Sequence, residues 1–134
     1  MAVDGEIVGE IGAGLCVLVG VAHSDTEASA SRLADKIWKV RIFEDDAGKM
    51  NRSVAESSRQ VLLISQFTLY GDASKGRRPT WSAAAPGPIA EPLVDAVAAE
   101  LRSLGATVAE GRFGADMAVS LVNDGPVTLI VDVD

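Results

Sequence analysis

The sequence predicts an α+β fold, a mostly antiparallel sheet that curls or closes into a partial β-barrel and carries two helices in the order ββαββαβββ. Three observations predict it. Strand-like apolar runs lie at Leu15 to Val21 and Gln60 to Tyr70. Two longer stretches repeat apolar residues at helical intervals. Short β-rich runs separated by turn residues fill the C-terminal third, which suits turn-linked antiparallel pairing.

Taking the elements in order, Asp4-Gly5 sits between Ala2-Val3 and Glu6-Ile7-Val8. Asp-Gly between apolar residues signals a hairpin, because both central turn positions tolerate positive φ. Only three residues precede it, so the hairpin has almost no first arm. That points to a shortened chain start or an internal start codon. A short non-hairpin turn at a frayed end is the other reading. Gly12-Ala13-Gly14 is a turn before the strand at Leu15. Ser24-Asp25-Thr26-Glu27 has capping-box spacing, and Ala30, Leu33, Ala34 and Ile37 carry the first helix to about Lys39. Val40 to Phe43 is a short strand, and Glu44 to Met50 a turn. Gln60 to Tyr70 reads as a central strand. The long segment from Gly71 to Pro88 is a loop, and loops of that length inside compact domains are usually functional. Ile89, Leu93, Val97, Leu101 and Leu104 mark the second helix, with proline near its first turn and Gly105 as its stop. Strands follow near Thr107–Glu110, Met117–Val122 and Val127–Val133.

The 134 residues fit one domain, spanning 1–134. Hydrophobic residues make up 48%, enough for a real core rather than a disordered chain. The apolar run around Leu15 to Ala22 is too short to span a bilayer, and no signal peptide is legible. One cysteine, Cys16, excludes an internal disulfide and a cysteine-based zinc site, which fits a cytoplasmic setting. The net charge of −7 argues against broad wrapping of nucleic acid, so RNA contact would need a local basic patch.

The chemical inventory is narrow. His23, the only histidine, is either a polar end-of-strand residue or the base of a triad. Cys16, with apolar neighbours, reads as a core residue. No cluster has metal-ligand spacing, and the glycines fit no phosphate-binding fingerprint, so neither metal nor cofactor is expected. Three features remain. Ser65-Gln66-Phe67-Thr68 places polar groups in an apolar strand, where burial demands partners unless they alternate outward. Lys75-Gly76-Arg77-Arg78 puts three cations within four residues, suited to phosphate or simply to solvent. Gly125-Pro126, after Asn123-Asp124, reads by local rules as a trans turn.

At these features the chain resembles the D-aminoacyl-tRNA deacylase family. The matching stretches are Ser65-Gln66-Phe67-Thr68-Leu69, Lys75-Gly76-Arg77-Arg78-Pro79, Gly111-Arg112-Phe113-Gly114-Ala115-Asp116-Met117, and Leu121 to Thr128. Arg41-Ile42-Phe43 and Gly48-Lys49-Met50-Asn51 match as well. The chain departs from the family in lacking its usual first strand, which would leave a neighbouring edge unpaired.

The resemblance implies hydrolysis of the ester joining a D-amino acid, or glycine, to tRNA. It implies a homodimer with each site at the subunit interface. There the Gly125-Pro126 of one subunit, in the cis form, would reach the partner's pocket and crowd out L side chains. It implies catalysis by positioning and an oxyanion hole rather than a protein nucleophile. Backbone amides of Phe67 and Thr68 would be the donors, Thr68 would position, and a substrate ribose hydroxyl would assist. Ser65 and Gln66 would hold the substrate amine or adenosine. Lys75, Arg77 and Arg78 would meet acceptor phosphates, and Met117 would pack near the adenine. The expected partners are tRNA and a second copy of the chain, with no DNA and no membrane. Two alternatives stay open: an inert, shortened RNA-binding dimer, and a thiol or serine hydrolase using Cys16 or Ser65 with His23.

Overall fold

The computed structural model describes residues 1–134. The Asp-Gly hairpin forms: β1 (Ala2–Val3) pairs antiparallel with β2 (Glu6–Ile7). Asp4 and Gly5 both take positive φ, 50° and 80°, the geometry of a two-residue turn that matches strand twist. The hairpin is completed by β8 (Met117–Ala118), so β1 lies in the middle of a small antiparallel sheet.

The sheet with the longest strands is parallel, against expectation, while the other two sheets are antiparallel. Its strands run β3 (Gly14–Val19), β6 (Gln60–Ser65) and β7 (Val108–Glu110), with β6 in the middle. Gly14 faces Gln60 and Val19 faces Ser65 on one side, and Val61 faces Val108 on the other. Parallel neighbours need long crossovers. Helix α1 (Glu27–Lys39) lies in the first crossover and α3 (Gly87–Leu104) in the second. A third sheet, β4 (Phe43–Glu44) with β5 (Met50–Arg52), and a one-turn helix α2 (Val54–Ser57) complete the first connection. The α+β class holds, with three α-helices rather than two and no closed barrel.

Alternation along β6 builds two cores. Val61 and Leu63 face the helices, meeting Ala34 and Ile37 of α1 and Val94, Val97 and Leu101 of α3. Leu62 and Ile64 face the other way, onto Met1 and Val3. Full burial of such side chains stabilises by about 1.5–3 kcal/mol each. The same alternation turns Ser65 toward the helix side.

Several boundaries move. The cap of α1 is Thr26, not Ser24, and the Thr26 amide donates to Ser29 Oγ at 3.1 Å. Asp25 is engaged in a preceding turn, where its carboxylate accepts from the Ala22 amide at 2.8 Å. The predicted strand Gln60–Tyr70 ends at Ser65, and Phe67–Tyr70 forms a 3-10 turn. The Gln66 amide still reaches Val19 O at 2.8 Å, but β3 ends at Val19, leaving the chain no further ladder on that side. Val127–Val133 forms no strand. Residues from Val119 onward pair with no sheet edge, and Val122 and Ile130 are 89% and 92% exposed. A strand-like composition makes no strand without a neighbour to pair with.

Candidate active site

Ser65, Gln66, Phe67 and Thr68 gather where β6 stops. Ser65, partly buried, opens into a cleft of about 310 Å³ shared with Glu91, Asp95, Glu110, Arg112 and Phe113. Gln66, also partly buried, is followed by the exposed Phe67 and Thr68 on the 3-10 turn. Gln66 Nε2 donates to Thr68 Oγ1 across one residue. The turn is closed by Leu69 N to Gln66 O at 3.2 Å and Gly71 N to Thr68 O at 2.9 Å. Its first two amides, those of Phe67 and Thr68, donate to no carbonyl or side chain of the chain, as expected for leading amides of a helical turn. They are two adjacent donors without partners, beside a serine and a cleft.

The long loop folds back on itself at its base. Asp72 and Thr80 exchange both backbone hydrogen bonds at 2.8 Å, and the Asp72 carboxylate accepts from the Ser74 amide at 2.8 Å. The Ser74 hydroxyl, and then its amide, hold the Asp72 carboxyl below its usual range. Lys75, Arg77 and Arg78 sit on the exposed tip, and none is in an ion pair. Below them Trp81 meets Phe67 edge to face, with ring centroids 5.5 Å apart and planes 79° apart.

Met117 packs inward on the second core, beside Ile64, with its sulfur over Gly111. Gly125 and Pro126 are exposed, joined by a cis peptide bond where local rules read trans, and line neither of the two main clefts. The second cleft lies between β3, α1 and α3, beside Tyr70, with Val131, Asp132 and Val133 along its wall. Burial, then the nearby Asp25 and Asp132 carboxylates, push the Tyr70 phenol up.

The triad alternative finds no support in the geometry. His23 Nε2 is 2.7 Å from Ser82 O and makes no hydrogen bond to Ser65 or Cys16. Cys16 is surface-exposed rather than core, and the burial it does have pushes its thiol up, away from a reactive thiolate. Sequence reasoning missed Trp81, Phe113 and the acidic wall of the Ser65 cleft as site residues. An aromatic following the basic loop was the available signal for Trp81.

Residues 1–132 match the family described as D-Tyr-tRNA(Tyr) deacylase. A D-aminoacyl-tRNA deacylase of Streptomyces coelicolor is 63% identical over 134 residues, covering 99% of this chain and 92% of that protein. One of Bacillus cereus is 58% identical over 132 residues, covering 98% and 90%. A solved structure titled c-Myc DNA Unwinding Element Binding Protein superposes with a TM-score of 0.89 at 37% identity, covering 96% of this chain and 87% of that one.

Proposed function

Because the chain belongs to the D-Tyr-tRNA(Tyr) deacylase family and is thereby a hydrolase of aminoacyl-tRNA esters, we propose that it removes D-amino acids, and glycine mischarged on tRNA-Ala, from the terminal adenosine. The observation that carries the reading is the pair of unpartnered amides at Phe67 and Thr68. They would receive the negative charge that builds on the carbonyl oxygen of the ester as water attacks the carbonyl carbon. Preorganised donors of this kind supply about 10²–10³ in kcat each. The ester C–O bond then breaks, the ribose oxygen takes a proton, and the free amino acid leaves as a carboxylate. An aminoacyl ester is reactive enough to need positioning more than a nucleophile. A neighbouring ribose hydroxyl of the substrate would assist the proton transfer.

Ser65 and Gln66 would orient the substrate amine or adenosine, Thr68 the turn itself, and Met117 the adenine side. Lys75, Arg77 and Arg78 would take acceptor-stem phosphates, giving an acidic protein one local RNA contact. The working form would be a cytoplasmic homodimer. In it Gly125 and Pro126 of each copy would enter the partner's cleft, and their main chain would clash with an L side chain. The exposure of that segment, and of Leu121, Val122, Leu129 and Ile130 around it, supports the pairing. The structural relative with a DNA-binding title invites a DNA-binding reading. A net charge of −7 with only one small basic tip favours a short RNA contact instead.

The test is ester loss from D-Tyr-tRNA and L-Tyr-tRNA, with the oligomeric state measured alongside. The reading expects D-selective loss by a dimer. Absence of hydrolysis with either substrate sinks it in favour of an inert RNA-binding dimer.

A further inference from the structure

We propose that Trp81 is a positioning residue for the deacylation step, a fixed wall that holds the Phe67–Tyr70 turn in the orientation its free amides require. The proposal rests on the reading of those amides as the oxyanion donors.

Gly71, which closes the turn, has φ −63° and ψ 136°, a conformation open to any residue. Nothing in the backbone asks for glycine there. Space does: an added Cβ would lie 2.3 Å from Trp81 Cζ3 and 2.9 Å from Thr68 O. The indole therefore rests directly on the Gly71 main chain. The same ring meets Phe67 edge to face at 5.5 Å. Trp81 thus touches both ends of the turn, before and after Thr68. The turn also leans on the residue just after β3, where a Cβ on Gly20 would come within 3.0 Å of the Tyr70 ring and 3.2 Å of Leu69 Cβ. The turn is held against both Gly20 and the indole.

A wall must itself be fixed, and the Trp81 backbone is. The preceding Thr80 exchanges two hydrogen bonds with Asp72, and Ala84 N donates to Trp81 O at 3.0 Å. The carbonyl of the next residue, Ser82, meets His23 Nε2 at 2.7 Å. The indole is 42% exposed and belongs to neither core cluster, so general packing does not explain its place. Its position also joins the base of the basic loop to the turn, so phosphate docking and ester alignment share one rigid piece.

The experiment compares the full chain with Trp81→Ala, Trp81→Phe and Gly71→Ala, using D-Tyr-tRNA, and reads kcat, KM and Tm separately. Small misplacements in a site cost up to about 100-fold in rate. Trp81→Ala should lose about tenfold or more in kcat, with KM changed less than about twofold and Tm near wild type. Trp81→Phe, which keeps a ring over Gly71, should recover most of the loss. Gly71→Ala, whose Cβ would displace the indole from the turn, should reproduce it. Should Trp81→Ala not fold, Trp81→Leu takes its place, with the same expectation. An active wild type with unaltered kcat in Trp81→Ala and Gly71→Ala overturns the positioning role alone. So does a loss tracked entirely by Tm and not rescued by Trp81→Phe. An inactive wild type overturns the deacylase reading as well.

Discussion

Gln66 and Thr68 are tied side chain to side chain, the amide of Gln66 donating to the hydroxyl of Thr68 with Phe67 between them. The bond occupies one of the hydroxyl's two acceptor lone pairs and leaves the Thr68 backbone amide free. This arrangement suits a residue that shapes the turn and does not suit a nucleophile, which would need a base. Thr68→Val should therefore lower kcat on D-Tyr-tRNA by about five- to tenfold, the scale of one neutral hydrogen bond. Thr68→Ser should retain most activity. Complete loss in Thr68→Val, with loss of any covalent intermediate trapped in the wild type, would identify the hydroxyl as the attacking group.

The basic tip makes a salt-dependent prediction. Lys75, Arg77 and Arg78 are exposed and unpaired, so replacing all three with Ala removes charge without removing packing. Binding of tRNA should weaken, and the slope of log affinity against log salt should flatten by about two to three, near 0.7–0.9 per lost phosphate contact. Tm should hold. An unchanged slope would mean that the phosphates lie elsewhere.

The single tyrosine provides a clean optical handle. Burial and the charges of Asp25 and Asp132 raise the Tyr70 phenol above its usual 10.0. A raised value means that the protonated ring is favoured in the folded chain. That stability is fully present below pH 10.0 and is lost as pH climbs through the higher folded value. Difference absorbance should show the one phenol titrating above 10.0 in the native chain and lower in Asp132→Asn. Native titration at the free-phenol value would show that the C-terminal segment does not cover the ring.

The helix side of the core sets global stability. Leu101 is 0% exposed, in the cluster that joins α1, α3 and β6. Leu101→Ala should cost about 2–5 kcal/mol by denaturant unfolding, through lost transfer energy and a residual cavity. A cost under about 1 kcal/mol would mean that the helices repack freely.

Local signals were legible wherever short-range chemistry decides the outcome. Asp4-Gly5 named its own turn and the apolar stripe ending at Gly105 named α3, whereas the polar run at Ser65–Thr68, read as part of a strand reaching Tyr70, is where β6 ends. The capping box at Ser53 and Glu56, with Ser53 Oγ donating to Glu56 at 3.0 Å, builds the short helix α2, which the two-helix expectation did not include. Sheet direction was harder. Strands on either side of α1 and α3 pair in parallel because each crossover returns the chain to the same end of the sheet, and no local residue carries that information. The segment after Val119 reads as a strand by composition, yet a strand depends on a neighbour that the sequence does not specify. Trp81 escaped notice because its role depends on contact with Gly71 and Phe67, both set by the return of the long loop.

Because β6 has a hydrogen-bonded neighbour along each edge, its amides can exchange with solvent only after the sheet on one side has come apart. Deuterium uptake should therefore be slowest through Val61–Ile64 and rise abruptly within two or three residues, at the open amides of Phe67 and Thr68. The chemistry would then hang from the last part of the molecule to melt. Mild heat or denaturant should spare turnover until the whole fold gives way.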